Sequence, residues 1–101
     1  MKKATEQRVE MDYIYMADGE PVFIETIQKQ TREEVIAQYI KRRKELKLTQ
    51  DDLAKRTGMA RTNITRFEGG KYNPSLEMMV KIAAALNMSV QVKLESREEQ
   101  A

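Results

Sequence analysis

Arg61, Thr62, Asn63, Thr65 and Arg66 fall close together, interrupted by Ile64 and followed by Phe67. Ile64 and Phe67 stand at i, i+3, so on a helix they share one face and that face is the buried one. Arg61, Thr62, Thr65 and Arg66 are then left pointing outward. A short helix whose exposed N-terminal half is Arg, Thr and Asn suits the edge of a DNA major groove. Guanidinium groups reach guanine acceptors there, and small polar groups reach bases or phosphates.

The elements that must position this helix are legible on either side of it. Thr49 can cap a helix that carries Asp52 at its third position, with Leu53 and Ala54 inward and Gly58 as the left-handed stop. The outward-facing helix follows from about Arg61 to Gly69. Asn73-Pro74-Ser75 reads as a turn plus cap. It starts a further helix from Leu76 to about Leu86, with Met79, Ile82, Ala83 and Leu86 on one face and Asn87 as terminator. Upstream, Thr31-Arg32-Glu33-Glu34 has the form of a capping box. It predicts a helix from Thr31 to about Leu46, with Val35, Ile36, Tyr39, Ile40 and Arg43 at helical spacing.

The flanks read differently. Tyr13-Ile14-Tyr15-Met16 and Pro21-Val22-Phe23-Ile24 are short β-favouring runs separated by Asp18-Gly19. That pattern predicts a hairpin over roughly 12–17 and 21–26, or a segment that orders only on a partner. Val90, Val92 and Leu94 alternate with polar residues between Ser89 and Glu95, as in a half-buried strand. Residues 1–12 and 96–101 read as a polar arm and tail.

Composition narrows the chemistry. The chain has 101 residues, the size of one small domain with a short appendage. It has no cysteine and no histidine. Disulfides, thiolate chemistry, the usual zinc sites and the commonest general base are therefore excluded. With no phosphate-cradling glycine loop either, an enzyme is disfavoured, and no metal or cofactor is expected. No apolar run is long enough for a membrane span, and the N-terminus lacks a secretory h-region, so a cytoplasmic protein is expected. Residues 31–73 carry eleven Lys/Arg against six Asp/Glu, while the chain as a whole has a net charge of only +2. The positive charge thus sits on the segment holding the two central helices, where it can supply a phosphate-binding term. Ordinary surface solubilisation by Arg61, Arg66 and Gln50 is the plain alternative. Met59, Met78, Met79 and Met88 read as gap-filling core, and Asp51 and Asp52 as first-turn partners of a helix dipole.

From Arg43 to Ser89 the chain resembles the helix-turn-helix family of phage repressors and Cro proteins, the Xre-like family. The residues that carry the resemblance are Arg43, Leu48-Thr49-Gln50, Leu53-Ala54, Gly58, Ile64, Glu68, Gly70-Lys71, Asn73-Pro74-Ser75-Leu76 and Ile82-Ala83 with Ala85-Leu86. The resemblance implies a mainly α, lambda-repressor-like bundle of four to five helices, here with an N-terminal β-hairpin and a C-terminal strand. It implies that Gln50 and Lys71 touch the DNA backbone and that Arg61, Thr62 and Arg66 face bases, with Asn63 and Thr65 on the same helix. It also implies that Arg43 and Glu68 bridge the first helix to the third. Ala60 departs from the family's Ser or Thr cap, so the third helix is expected to start late or fray.

This organisation divides the chain into 1–30, 31–88 and 89–101. The helices followed by a strand and a short tail resemble antitoxins of the HigA type, a group that represses its own operon and holds a RelE/HigB-like ribonuclease toxin. That resemblance implies a homodimeric repressor on a two-half-site operator. Val90, Val92 and Leu94 would pair either with the hairpin or with a twofold copy. Tyr13, Tyr15 and Phe23 would contact the toxin from an acidic segment, or the hairpin would be purely structural. A stand-alone regulator of a phage or mobile element is the alternative.

Overall fold

The computed structural model describes residues 14–17 and 20–96. Two short strands, β1 (Ile14–Ala17) and β2 (Glu20–Phe23), pair antiparallel, with Ile14 opposite Phe23 and Ala17 opposite Glu20. Four helices follow: α1 (Ile24–Glu45), α2 (Gln50–Thr57), α3 (Arg61–Gly69) and α4 (Leu76–Ala85). The polar arm, Tyr13 and residues 97–101 of the expected tail lie outside the described residues.

Three helix boundaries follow from local chemistry. Thr49 Oγ1 accepts from the Asp52 amide at 3.0 Å while Asp52 Oδ2 accepts from the Thr49 amide at 2.9 Å, which makes a reciprocal capping box. Gly58 and Gly70 end α2 and α3 at φ of 75° and 68°, a region that costs a side chain energy. Ser75 caps α4 through the Met78 amide, and Asn87 leaves it in the left-handed region. Helix α3 has no side-chain cap. Ala60 supplies only its carbonyl, yet the helix still begins at Arg61.

Two expectations are overturned. Thr31 is not a cap: α1 begins at Ile24 and runs through it, so the stretch expected as the end of the second strand, up to residue 26, is helical. Residues 24–30 contain no Gly or Pro, and nothing in them stops the helix from extending back to Phe23. The C-terminal strand is the second. Among the described residues, 88–96 form no strand, and the sheet contains β1 and β2. An alternating segment becomes a strand only when a second segment pairs with its backbone, and the ladder described in this structure is β1 with β2. Val90 is half-buried against the core, but Val92 and Leu94 are 73% and 93% exposed. Met59, Met78 and Met79 do pack against the core, whereas Met88 is half exposed.

The core gathers Ile36 and Tyr39 from α1, Leu53 and Ala54 from α2, Ile64 and Phe67 from α3, and Ile82, Ala83 and Leu86 at α4. The Tyr39 and Phe67 rings meet edge to face at 4.9 Å. The Tyr39 hydroxyl donates to the Met79 carbonyl at 2.9 Å, and burial raises its pKa. Thr57, the buried polar residue, donates to the Leu53 and Ala54 carbonyls and accepts from the Met59 amide.

A two-pronged ion pair ties α1 to α3. Arg43 Nε lies 2.7 Å from Glu68 Oε2 and Nη2 lies 3.0 Å from Oε1, with both side chains nearly enclosed. Arg43 Nη1 donates to the Leu48 carbonyl at 2.8 Å, which also fixes the α1–α2 turn. Deleting one partner would leave the other charged and poorly solvated. We predict that Glu68→Ala lowers unfolding free energy by ~3–5 kcal/mol in urea titrations; a loss under ~1 kcal/mol, as for an exposed pair, would refute the enclosed geometry.

The α2 cap gives a pH-dependent expectation. The Thr49 amide, and secondarily its hydroxyl, hold the Asp52 carboxyl below its ordinary value. A depressed folded pKa contributes stability fully above the unfolded value of about 3.9, and that contribution disappears as pH falls through the folded pKa. Thr49→Ala should cost ~1 kcal/mol at neutral pH. Asp52→Asn removes the carboxylate itself and should lose less stability than the parent between neutral and strongly acidic buffer. Parallel acid-denaturation curves for Asp52→Asn and the parent would contradict this.

Candidate nucleic-acid interface

Helix α3 is fixed through one side only. Ile64 and Phe67 are fully buried, and Arg61, Thr62, Thr65 and Arg66 all lie on the exposed side. Asn63 differs from its neighbours in being half-buried. The outward group is therefore two arginines and two threonines on successive turns, presented by a helix that its own core holds in place.

Gln50, at the first position of α2, is braced against α3. Its Nε2 donates to Glu68 Oε1 at 3.0 Å, and its Oε1 accepts from Thr65 Oγ1 at 2.8 Å. The amide thus joins the Arg43–Glu68 pair to the exposed face in one chain of hydrogen bonds. A primary amide has two N–H donors, and one of them is committed to Glu68. Gln50 is half-buried, so the other donor is available to an acceptor approaching the edge of the α2–α3 pair.

Seven of the eleven cations of the 31–73 segment divide into two groups. Arg43 is spent on Glu68. Arg42 Nε donates to the Leu86 carbonyl and Arg56 Nη1 to the Ala85 carbonyl, both at 3.1 Å, where they satisfy the C-terminal end of α4. Arg32 is bound to the α3–α4 loop, with Nε to the Gly70 carbonyl at 2.8 Å and Nη1 to Asn73 Oδ1 at 2.7 Å. Four of the eleven are thus engaged with protein groups. Arg61 keeps an open ion pair with Asp51, 3.5 Å away and well exposed on both sides. Arg66 lies over the Tyr72 ring at 5.0 Å. Lys71 is exposed just beyond Gly70.

Sequence reasoning singled out Gln50, Arg61, Thr62, Asn63, Thr65, Arg66 and Lys71, and the fold brings these to the α2–α3 side of the molecule or the loop directly after it, with Asn63 less exposed than the others on α3. It missed Tyr72 as the platform under Arg66 and Arg32 as the brace of the loop. The Arg66–Tyr72 spacing was visible, but a cation–π contact six residues apart depends on how the chain turns at Gly70. Of the residues expected at partner surfaces, Val92 and Leu94 are exposed and Val90 is packed. Phe23 precedes α1 and is about half exposed, and Tyr15 stands in β1 opposite Val22. Among the described residues no group of His, Cys, Asp or Glu could hold a metal ion, and no helix is long and apolar enough to cross a membrane.

Known proteins similar to the chain share this central part. An uncharacterized HTH-type transcriptional regulator of Archaeoglobus fulgidus is 45% identical over 49 residues, 48% of this chain and 69% of that protein. One from Methanothermobacter thermautotrophicus is 52% identical over 44 residues, covering 44% of this chain and 64% of its own length. The immunity repressor protein of Bacillus phage phi105 is 42% identical over 48 residues, 48% of this chain but only 33% of the phage protein. No solved structure gives a significant match. The family description "Helix-turn-helix" matches residues 40–93, which takes in the end of α1, all of α2, α3 and α4, and the segment after α4. With more than half of its length in that match, the chain belongs to the helix-turn-helix family.

Proposed function

We propose that this protein is a sequence-specific DNA-binding repressor of transcription. The observation that carries the reading is the exposed face of α3, with Arg61, Thr62, Thr65 and Arg66 outward while Ile64 and Phe67 are buried. Such a helix can enter a major groove without disturbing its own core. Arg61 and Arg66 would reach base edges, and Thr62, Asn63 and Thr65 would fill in around them. Gln50 and Lys71 would hold phosphates on either side and set the register. The family is a non-enzymatic one, which agrees with binding rather than catalysis.

The phage immunity repressor among the relatives supports a stand-alone regulator of a phage or mobile element over an antitoxin. The antitoxin reading rests on the segment from Asp12 to Glu25, which has four carboxylates and no cation. Such a segment would complement a basic ribonuclease, with Tyr13, Tyr15 and Phe23 as anchors.

A homodimer is part of the proposal. Leu76, Val80 and Ala84 follow one another at i, i+4 on the exposed side of α4, and Val92 and Leu94 are exposed beyond it. The segment after α4 borders a groove of about 330 Å³ with Val35, Tyr39, Met79 and Leu86 on its walls. A second copy would bury these apolar groups.

Two measurements test these statements. In mobility-shift titrations on a duplex from its own promoter, Arg61→Ala should bind ~1–3 kcal/mol more weakly and discriminate less at one base position. Gln50→Ala and Lys71→Ala should weaken all duplexes evenly. Equal affinity of Arg61→Ala and the parent would remove α3 from the interface. In sedimentation, the parent should be a dimer that spaces two α3 helices ~34 Å apart, and Val92→Asp should be monomeric and bind its promoter weakly. A monomeric parent at micromolar concentration would exclude the dimer.

A further inference from the structure

The unexpected first turns of α1 create a second basic site. Because the helix starts at Ile24, Lys29 and Arg32 stand three residues apart and share one side of it. Arg32 clamps this extension onto the α3–α4 loop through the Gly70 carbonyl and Asn73. A cleft of about 350 Å³ lies where the two meet, walled by Gln28, Lys29, Arg32, Lys71 and Tyr72, with Glu25 as its acid. Three cations therefore face one carboxylate. Tyr72 links the cleft to α3, because the Arg66 guanidinium lies over its ring.

We propose that this cleft binds a phosphate of the DNA backbone flanking the bases read by α3, through Lys29, Arg32 and Lys71. The inference rests on the DNA-binding reading above and adds a contact to it. The Arg32 fork commits Nε and Nη1 to the loop, which fixes the direction of its remaining N–H groups, as a planar guanidinium requires. Lys29 adds a point charge one turn away. The cleft adjoins Lys71 and, through Tyr72, Arg66, so a strand passing the C-terminal end of α3 meets it next. Lys29 and Arg32 precede the family match at residues 40–93. The contact thus joins Lys71 and Tyr72 of the shared domain to two cations that this chain's helical extension adds.

Salt dependence of binding provides the test. Each phosphate neutralised adds about 0.9 to the slope of log affinity against log salt on duplex DNA. The parent, Lys29→Ala, Lys29→Arg and Lys81→Ala are titrated by fluorescence anisotropy on two labelled duplexes of equal length. One duplex comes from the region upstream of the protein's own gene and the other has random sequence. Lys29 and Lys81 are both exposed, and Lys81 lies on α4 away from the cleft. Lys29→Ala should reduce the slope on both duplexes, by up to about 0.9, with an unchanged melting curve, while Lys29→Arg and Lys81→Ala keep the parent slope. An unchanged slope for Lys29→Ala, with the parent binding normally, overturns the cleft contact and leaves the α3 reading standing. Failure of the parent to bind either duplex overturns both. Inorganic phosphate at millimolar concentration is the second arm, read by NMR shifts of Lys29, Arg32 and Lys71. Saturation there without DNA would assign the cleft to a free anion and overturn the proposal.

Discussion

A nine-residue helix does not hold itself together in water, because nucleation costs more than so few hydrogen bonds return. Helix α3 is nine residues long and has no side-chain cap. Its existence depends on Ile64 and Phe67, which are buried completely among Tyr39, Leu53 and the α4 residues. Burying a side chain of that size is worth ~1.5–3 kcal/mol. The exposed Arg61–Asp51 pair is worth ~0–1 kcal/mol at most. The core therefore decides where α3 sits, and its outward residues contribute nothing to that burial.

The polar network that borders this core has a different task. Arg43, Glu68, Gln50 and Thr65 form one connected set running from α1 through the start of α2 to the exposed face of α3. Core packing alone tolerates small rotations of a short helix. A two-pronged guanidinium–carboxylate contact tolerates fewer, because both N–H···O lines must be met at once. The network thus fixes the angle between α2 and α3, and with it the relative positions of Gln50 and Arg61. Its members are ordered before any ligand arrives, which reduces the side-chain entropy lost on binding.

The arginines show why net charge is a blunt guide to a binding surface. Arg42 and Arg56 close the carbonyl end of α4, Arg43 neutralises Glu68, and Arg32 braces the loop after α3. A guanidinium with five donors can serve orphan carbonyls as readily as phosphates. In this small domain several arginines stand in for the backbone caps that longer connections would provide. The proposed surface is then defined by which cations are presented on or just after α3, namely Arg61, Arg66 and Lys71, rather than by how many there are.

Local signals in the sequence were sufficient for the central helices. The Thr49–Asp52 box, Gly58, Ser75 and Asn87 each act within a few residues, and each marks its helix end in the structure. The i, i+3 spacing of Ile64 and Phe67 was enough to say which side of α3 is buried, and the Arg43–Glu68 bridge followed from family resemblance. Where a local signal competed with its surroundings, tertiary structure decided. Thr31 has the form of a cap, but residues 24–30 are acceptable in a helix and Arg32 gains two partners on the α3–α4 loop when α1 continues. The alternation from Ser89 to Glu95 has the form of a strand, but a strand is a relation between two segments, and among the described residues the ladder that forms is β1 with β2. Periodicity and capping are properties of one stretch of chain, so sequence alone determines them. Pairing, clamping and the choice of which arginines stay exposed depend on residues 25 to 44 positions apart, and only the folded molecule brings those together.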